Sequence, residues 1–311
     1  MSAALAIEID IGAAIVAVRG GQPVILVSDD ALPALPSGPF DPRVHRTFEQ
    51  ALRQWSREQA GLQLGYVEQL YTFGDRGRHS LFGESGVGSE GGKGGGAHTV
   101  SVGYLALTRP EGESGAAWRS WYDLFPWEDW RGGRPPVMDR VLTRLCSWAG
   151  GIPARRARIA LNFPGDEAAF DEERALDRYE LLYEAGAVPE AQRDGRAGAG
   201  DTVPGAPMRH DHRRIAATAI ARLRAKLRYR PVIFELVPES FTLTELQHAA
   251  EAIAGRTLHK GNFRRLIDRT GLVEPTGQQT PGTGGRPAAL YRFRRAIVRE
   301  RPATGIGPGR R

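Results

Sequence analysis

The sequence predicts an α+β protein in two parts: a strand-opened domain, then a small basic module of two helices and a hairpin. Three observations carry that expectation. Apolar runs at 3–18, 24–27, 66–73 and 99–107 dominate the first third, whereas complete helix-start and helix-stop signals crowd into 211–271. Charge is divided unevenly: residues 208–311 hold 21 Lys/Arg against 8 Asp/Glu, and the remainder hold 21 against 28. Within a net charge of +6, that asymmetry suggests an acidic domain joined to one that meets a polyanion; the alternative is a basic surface that is merely solvated. Third, the 311 residues are 41% hydrophobic and 25% charged, ordinary globular composition for two domains.

Such composition excludes a wholly disordered chain and a collagen-like fibre. The longest apolar run, 11–18, is far short of the ~20 residues of a membrane-spanning helix. Glu8 and Asp10, with no basic n-region, speak against a secretory signal. The single cysteine, Cys146, makes neither an internal disulfide nor, alone, a zinc site. A reducing cytoplasm is the expected compartment, with no membrane partner, metal or cofactor.

The opening strand turns at Gly20-Gly21, which supply the positive φ of a tight hairpin, and returns over 24–27. Pro33, Pro36, Pro39 and Pro42 then mark a loop. Phe48, Ala51, Leu52 and Trp55 at helical spacing predict a helix over 46–59, stopped by Gly61. Between the next two strands, 83–96 holds eight glycines and a formal Gly86-x-Gly88-x-x-Gly91 fingerprint. No helix can start after it to aim N–H groups at phosphate, so a loop is expected. The middle third carries Trp118, Trp121, Tyr122, Phe125, Trp127 and Trp130, a core or a stacking platform. Helices are expected at 135–150 and 170–185, and a linker at 193–207.

A longer helix follows over 211–227, with Ile215, Ala219, Leu223 and Leu227 on one face and its arginines elsewhere. His210-Asp211-His212 could suggest a metal, but neighbours on a helix point apart, and Asp211 suits a cap. Phe241-Thr242-Leu243-Thr244-Glu245-Leu246 combines a capping box (Thr242, Glu245) with a hydrophobic staple (Phe241, Leu246), starting a helix that Gly255 ends. A short turn leads to a second helix over 260–270, with Phe263, Leu266 and Ile267 inward and Gly261, Arg265 and Arg269 outward. A strand at 272–275, a glycine-rich tip at 277–285 and a return at 287–293 complete a winged helix. The DNA-binding candidates are Thr242, Thr244 and Gln247 for phosphate. Lys260, Asn262, Arg264, Arg265 and Arg269 lie on the second helix, and Arg286 at the wing's root. The alternative is a module that docks protein.

In its last hundred residues the chain resembles the Nudix-related transcriptional regulators of NAD metabolism. The resemblance lies in Asp211-His212-Arg213-Arg214-Ile215, Leu223-Arg224-Ala225-Lys226-Leu227-Arg228-Tyr229, Phe234-Glu235-Leu236-Val237-Pro238, Asn262-Phe263-Arg264-Arg265 and Gly285-Arg286-Pro287-Ala288. Phe125-Pro126-Trp127-Glu128-Asp129-Trp130 and the stretch 178–186 resemble a longer alphaproteobacterial subgroup tied to de novo NAD biosynthesis. The resemblance implies a Nudix-like α/β/α sandwich over 1–207, with a large helical insertion. A connecting helix over 208–230, a winged helix-turn-helix domain over 231–299 and a disordered tail over 300–311 follow. It further implies a homodimeric repressor of NAD biosynthesis genes on a palindromic operator, with a NAD-related nucleotide effector such as ADP-ribose, NAD or ATP.

Catalysis can be judged from the residues. With the Nudix box aligned on Gly61, Arg46 replaces its first glutamate, Gln54-Trp55 its Arg-Glu pair, and Glu58 alone survives of four acids. One glutamate among arginines is a poor magnesium site, so the expectation is a non-enzyme. Its effector would be held by Arg46, Arg53, Arg57 and Glu58, unless those form ordinary surface pairs. The alternative function is a Nudix-type nucleotide pyrophosphate hydrolase with an accessory basic domain.

Overall fold

The computed structural model describes residues 7–75, 98–109, 117–196, 200–280 and 287–296. The 83–96 loop, Arg286 and the 300–311 tail lie outside the described residues.

Alternation of side chains along two long strands builds the first domain. β1 (Ile7–Arg19) pairs antiparallel with β2 (Gln22–Val27) through Gly20 and Gly21, whose φ of 54° and 71° a side chain would strain. β3 (Ser37–Pro39) pairs with β1, and α1 (Phe48–Ala60) follows, capped by Thr47 and ended by Gly61 at φ 63°. β4 (Val67–Phe73) and β5 (His98–Leu107) pair antiparallel, β5 runs parallel to β1, and β6 (Ala117–Ser120) closes the other edge on β2. The order is β4-β5-β1-β2-β6. Ile11, Ala13, Ile15, Val102, Tyr104 and Ala106 pack with Ala51, Leu52 and Trp55 of α1. Their neighbours Ala14, Val16, Leu105 and Leu107 belong to a second core on the opposite face.

That second face is covered by helices. α2 (Trp121–Leu124), a 3-10 turn (Pro126–Glu128), α3 (Met138–Ala149), α4 (Pro153–Asn162), α5 (Ala175–Glu184) and α6 (Pro189–Arg193) lead to α7 (His212–Leu227). Ile215 of α7 sits on the sheet where Gly103 leaves room: a Cβ there would lie 2.9 Å from the Phe73 ring and 3.2 Å from Ile215. The connecting helix of the sequence reading is thus the second layer of the sandwich. The aromatic cluster is core, with Trp121, Phe125, Trp127 and Trp130 all buried.

Three features depart from expectation. The segment 193–207 is packed rather than a free linker where it is described. Val203 and Met208 are buried, Met208 N donates to Glu190 at 2.9 Å, and Arg193 donates to the carbonyls of Met208 and His210. And the arginines of α7 do not all face water. Arg213 is buried between Phe125, Trp127 and Tyr179, paired to Glu190 at 3.2 Å and bonded to the Leu124 carbonyl. A helix sandwiched on all sides buries whatever lies on its polar flank, and such charges stay charged only when paired. Asp211 stands at the N-cap position without a capping bond and instead accepts from Arg214 at 3.3 Å.

The last module holds a 3-10 turn (Val232–Glu235), β7 (Ser240–Phe241), α8 (Leu243–Ala254), α9 (Lys260–Thr270), β8 (Val273–Gln279) and β9 (Ala289–Phe293). The small sheet runs β7-β9-β8. Leu246, Ile253, Phe263, Ile267 and Leu272 form its core, and Phe234 stacks on Phe293 at 4.2 Å. This core is continuous with that of the insertion. Among the described residues no helix is long and apolar enough to cross a membrane.

Candidate nucleic-acid interface and ligand cleft

Local sequence alone positions the α8–α9 pair. Thr242 Oγ1 accepts from Glu245 N at 3.1 Å while the Glu245 carboxylate accepts from Thr242 N at 2.7 Å, a complete capping box. Gly255 and Gly271 end the two helices at φ 75° and 61°. His259 caps α9, and a Cβ on Gly261 would approach its ring at 3.2 Å.

Phe263 and Ile267 anchor α9, leaving Lys260, Asn262, Arg264, Arg265 and Arg269 exposed, with Asp268 among them. Arg265 donates to Asn262 Oδ1 at 2.6 Å, so the two groups suited to bidentate base contacts are held as a pair. Thr244 is exposed at the start of α8. Two expected phosphate contacts are turned inward instead. Thr242 is buried and its hydroxyl is occupied as the cap, and the Gln247 amide donates to Glu251 and to the Leu258 carbonyl, both at 2.9 Å. Both residues hold the helix pair together.

The expected effector residues do not converge. Arg53 is fastened to Glu49 at 2.9 Å and to the carbonyls of Leu64 and Gly65, tying α1 to the following loop. Arg57 donates back to the Arg53 carbonyl, Glu58 accepts from Gln54 at 2.8 Å, and Arg46 is exposed before the helix. These are local surface pairings.

An open cavity lies elsewhere, at the start of β1. It measures about 750 Å³ and is lined by Glu8, Asp10, Phe40, Thr99 and His210 together with apolar neighbours. Burial pushes the Asp10 carboxyl up to about 6, against a backbone hydrogen bond from Ile11 that lowers it. His210 stands at φ 49°, the non-glycine residue at positive φ among those described, a strain that tends to accompany function. Sequence reasoning missed this site, although Glu8 and Asp10 alternating with Ile7, Ile9 and Ile11 put two acids on one sheet face. Among the described residues no group of three or more His, Cys, Asp or Glu could hold a metal.

A mixed sheet between helices followed by a winged helix is the fold of the Nudix–winged-helix regulators. Over the whole chain the architecture is similar to Shewanella oneidensis NrtR complexed with a 27mer DNA. That match has a TM-score of 0.53 at 20% identity, covering 92% of this chain and 93% of that one. It is equally similar to Shewanella oneidensis NrtR alone (TM-score 0.52, 18% identity, 92% and 94% covered). More specifically, residues 233–293 match the family described as NrtR DNA-binding winged helix domain, so the C-terminal module is a winged helix domain of that kind. The chain is also 47% identical over 83 residues to the ADPR responsive transcriptional repressor NtrR of Acinetobacter baylyi (strain ATCC 33305 / BD413 / ADP1). That alignment covers 27% of this chain and spans a third of the relative's length.

Proposed function

We propose that this protein is a DNA-binding transcriptional repressor of NAD biosynthesis genes. In this reading it acts in the cytoplasm as a homodimer on a palindromic operator, one winged helix per half-site. The carrying observation is the exposed basic face of α9, with Asn262 and Arg265 paired on it, in a module matching the NrtR winged helix. The name of the 47%-identical relative supports ADP-ribose, or a related NAD-derived adenine nucleotide, as effector. The cleft around Asp10 is the site we assign to it. A protonated or hydrogen-bonded carboxyl suits ribose hydroxyls and the adenine amino group, while Thr99 offers a further polar contact. We read the domain as non-catalytic because Glu58 is the surviving acid of the box, and it accepts from Gln54 on the exposed face of α1.

Fluorescence anisotropy on duplexes selected by the protein from a random pool, against scrambled DNA across a salt series, tests the DNA reading. Sequence-dependent affinity with a steep salt slope is expected; equal weak binding to both would overturn it. Calorimetric titration with ADP-ribose, NAD and ATP then tests the cleft. Asp10→Asn should change nucleotide affinity by about tenfold while Arg53→Ala leaves it unchanged. The reverse pattern would return the site to the α1 surface.

A further inference from the structure

The middle insertion does more than cover the sheet. The last four carbonyls of a helix have no partner within it. At the end of α8 two of them, and the carbonyl of the capping Gly255, are taken up by the insertion and α7: Tyr122 Oη donates to the Ala252 carbonyl at 2.6 Å, Arg224 Nε to that of Ile253 at 2.8 Å, and Trp130 N to that of Gly255 at 2.7 Å. Gly255 is glycine for this reason as well, because a Cβ would run into the Glu128 carbonyl and Arg224. Beneath these bonds Glu128 is buried between Arg178, at 2.5 Å, and Arg224. On its other side the same segment holds the first domain. Arg131 donates to the Gly21 carbonyl at 2.9 Å and to Gln22 Oε1 at 2.8 Å, lies over the Tyr122 ring at 4.7 Å and is oriented by Asp129. Gly21 belongs to the turn that ends β1, the strand whose other end lines the cleft.

We propose that the segment 122–131 is a clamp that makes the DNA-reading helix pair and the ligand-binding sheet move as one body, with Arg131 and Tyr122 as its positioning residues. The consequence for regulation rests on the effector reading above; the mechanical claim does not. A rigid clamp lets a shift of β1 reach α8 undiminished, so that nucleotide and DNA affinities are coupled in both directions.

The full chain offers a direct test, because Cys146 is its single cysteine and is exposed. Spin labels on Gln50→Cys, exposed on α1, and on Gln278→Cys, an exposed position of the wing, in a Cys146→Ser background report the distance between the first domain and the winged helix. Arg131→Ala with Tyr122→Phe loosens the clamp while leaving the Glu128 centre intact, so folding is retained. A single narrow distance is expected in the parent, and a broad or double distribution in the double variant. An unchanged distribution overturns the clamp. In parallel, the DNA affinity of both proteins is read with and without ADP-ribose. The double variant should bind each ligand alone within about threefold of the parent, yet lose most of the nucleotide effect on DNA affinity. A retained nucleotide effect despite a broadened distance overturns the regulatory consequence. A parent whose DNA affinity ignores ADP-ribose refutes that effector instead, while the distance distribution still decides the clamp.

Discussion

Asn262 and Arg265 stand one turn apart on α9 with a bond between them, so each restricts the other's side-chain freedom. Arg265→Ala is expected to cost about 1–3 kcal/mol on the selected operator and to relax preference at one base position. A loss equal on every sequence would make it a phosphate contact, and anisotropy on single-base operator variants distinguishes the two. Asp10 carries the other prediction from a single group. Its pKa is raised on folding, to about 6 from 3.8, so the folded state holds the proton more tightly. Its contribution is fully present below pH ~4 and is lost as pH rises through about 6. Asp10→Asn should therefore stabilise the protein by about 1–2 kcal/mol at pH 8 and leave it unchanged at pH 4, as melting temperatures across pH would show. Burial likewise works to raise the Glu128 carboxyl, but the Arg178 and Arg224 guanidiniums outweigh it and hold the group below the ordinary glutamate range. Its sign is opposite: stability is lost as pH falls.

The α8 start illustrates what a local motif can and cannot specify. Phe241, Thr242, Glu245 and Leu246 were readable as a capping box and staple because every partner lies within five residues. Thr242→Ala should lower stability by about 1 kcal/mol in urea unfolding, with specific DNA binding reduced only through the loosened helix start. The bounds of α8 and α9, the stop of α1 at Gly61 and the turn at Gly20-Gly21 were likewise readable, since caps and positive-φ glycines act locally; the start of α1 lies at Phe48 rather than 46, where Thr47 supplies the cap. α7 was read only in part. Its apolar stripe was evident, but the periodicity argument assumes water on the opposite side, and here Arg213 and Arg224 meet aromatic rings and carboxylates instead.

The two domains are joined through a charged centre inside a continuous apolar core, and this makes the molecule brittle at one point. Glu128→Gln leaves two buried guanidiniums undercompensated and should cost about 3–5 kcal/mol. Because Arg224 also holds the end of α8, unfolding followed by tryptophan fluorescence and by DNA binding should shift together; separate shifts would show that the domains are energetically independent. The exposed basic residues of α9 were largely apparent from charge and helical spacing, since exposure at a helix surface needs no tertiary partner. The cleft was not, because its walls come from β1, the loop at Phe40, β5 and His210, which are brought together by the pairing of β1 with β5 and β3 and by the bond of Arg209 N to the Pro33 carbonyl. Local order, the helix-pair module and its basic face follow from residues close in the chain, where capping, periodicity and charge act without help. Which arginines are buried, which carboxyl is paired and how the module is held depend on contacts such as Glu128 with Arg178 and Arg224, 50 and 96 residues away. No local pattern encodes those pairings, since a buried charge acquires its partner only when the chain has closed around it.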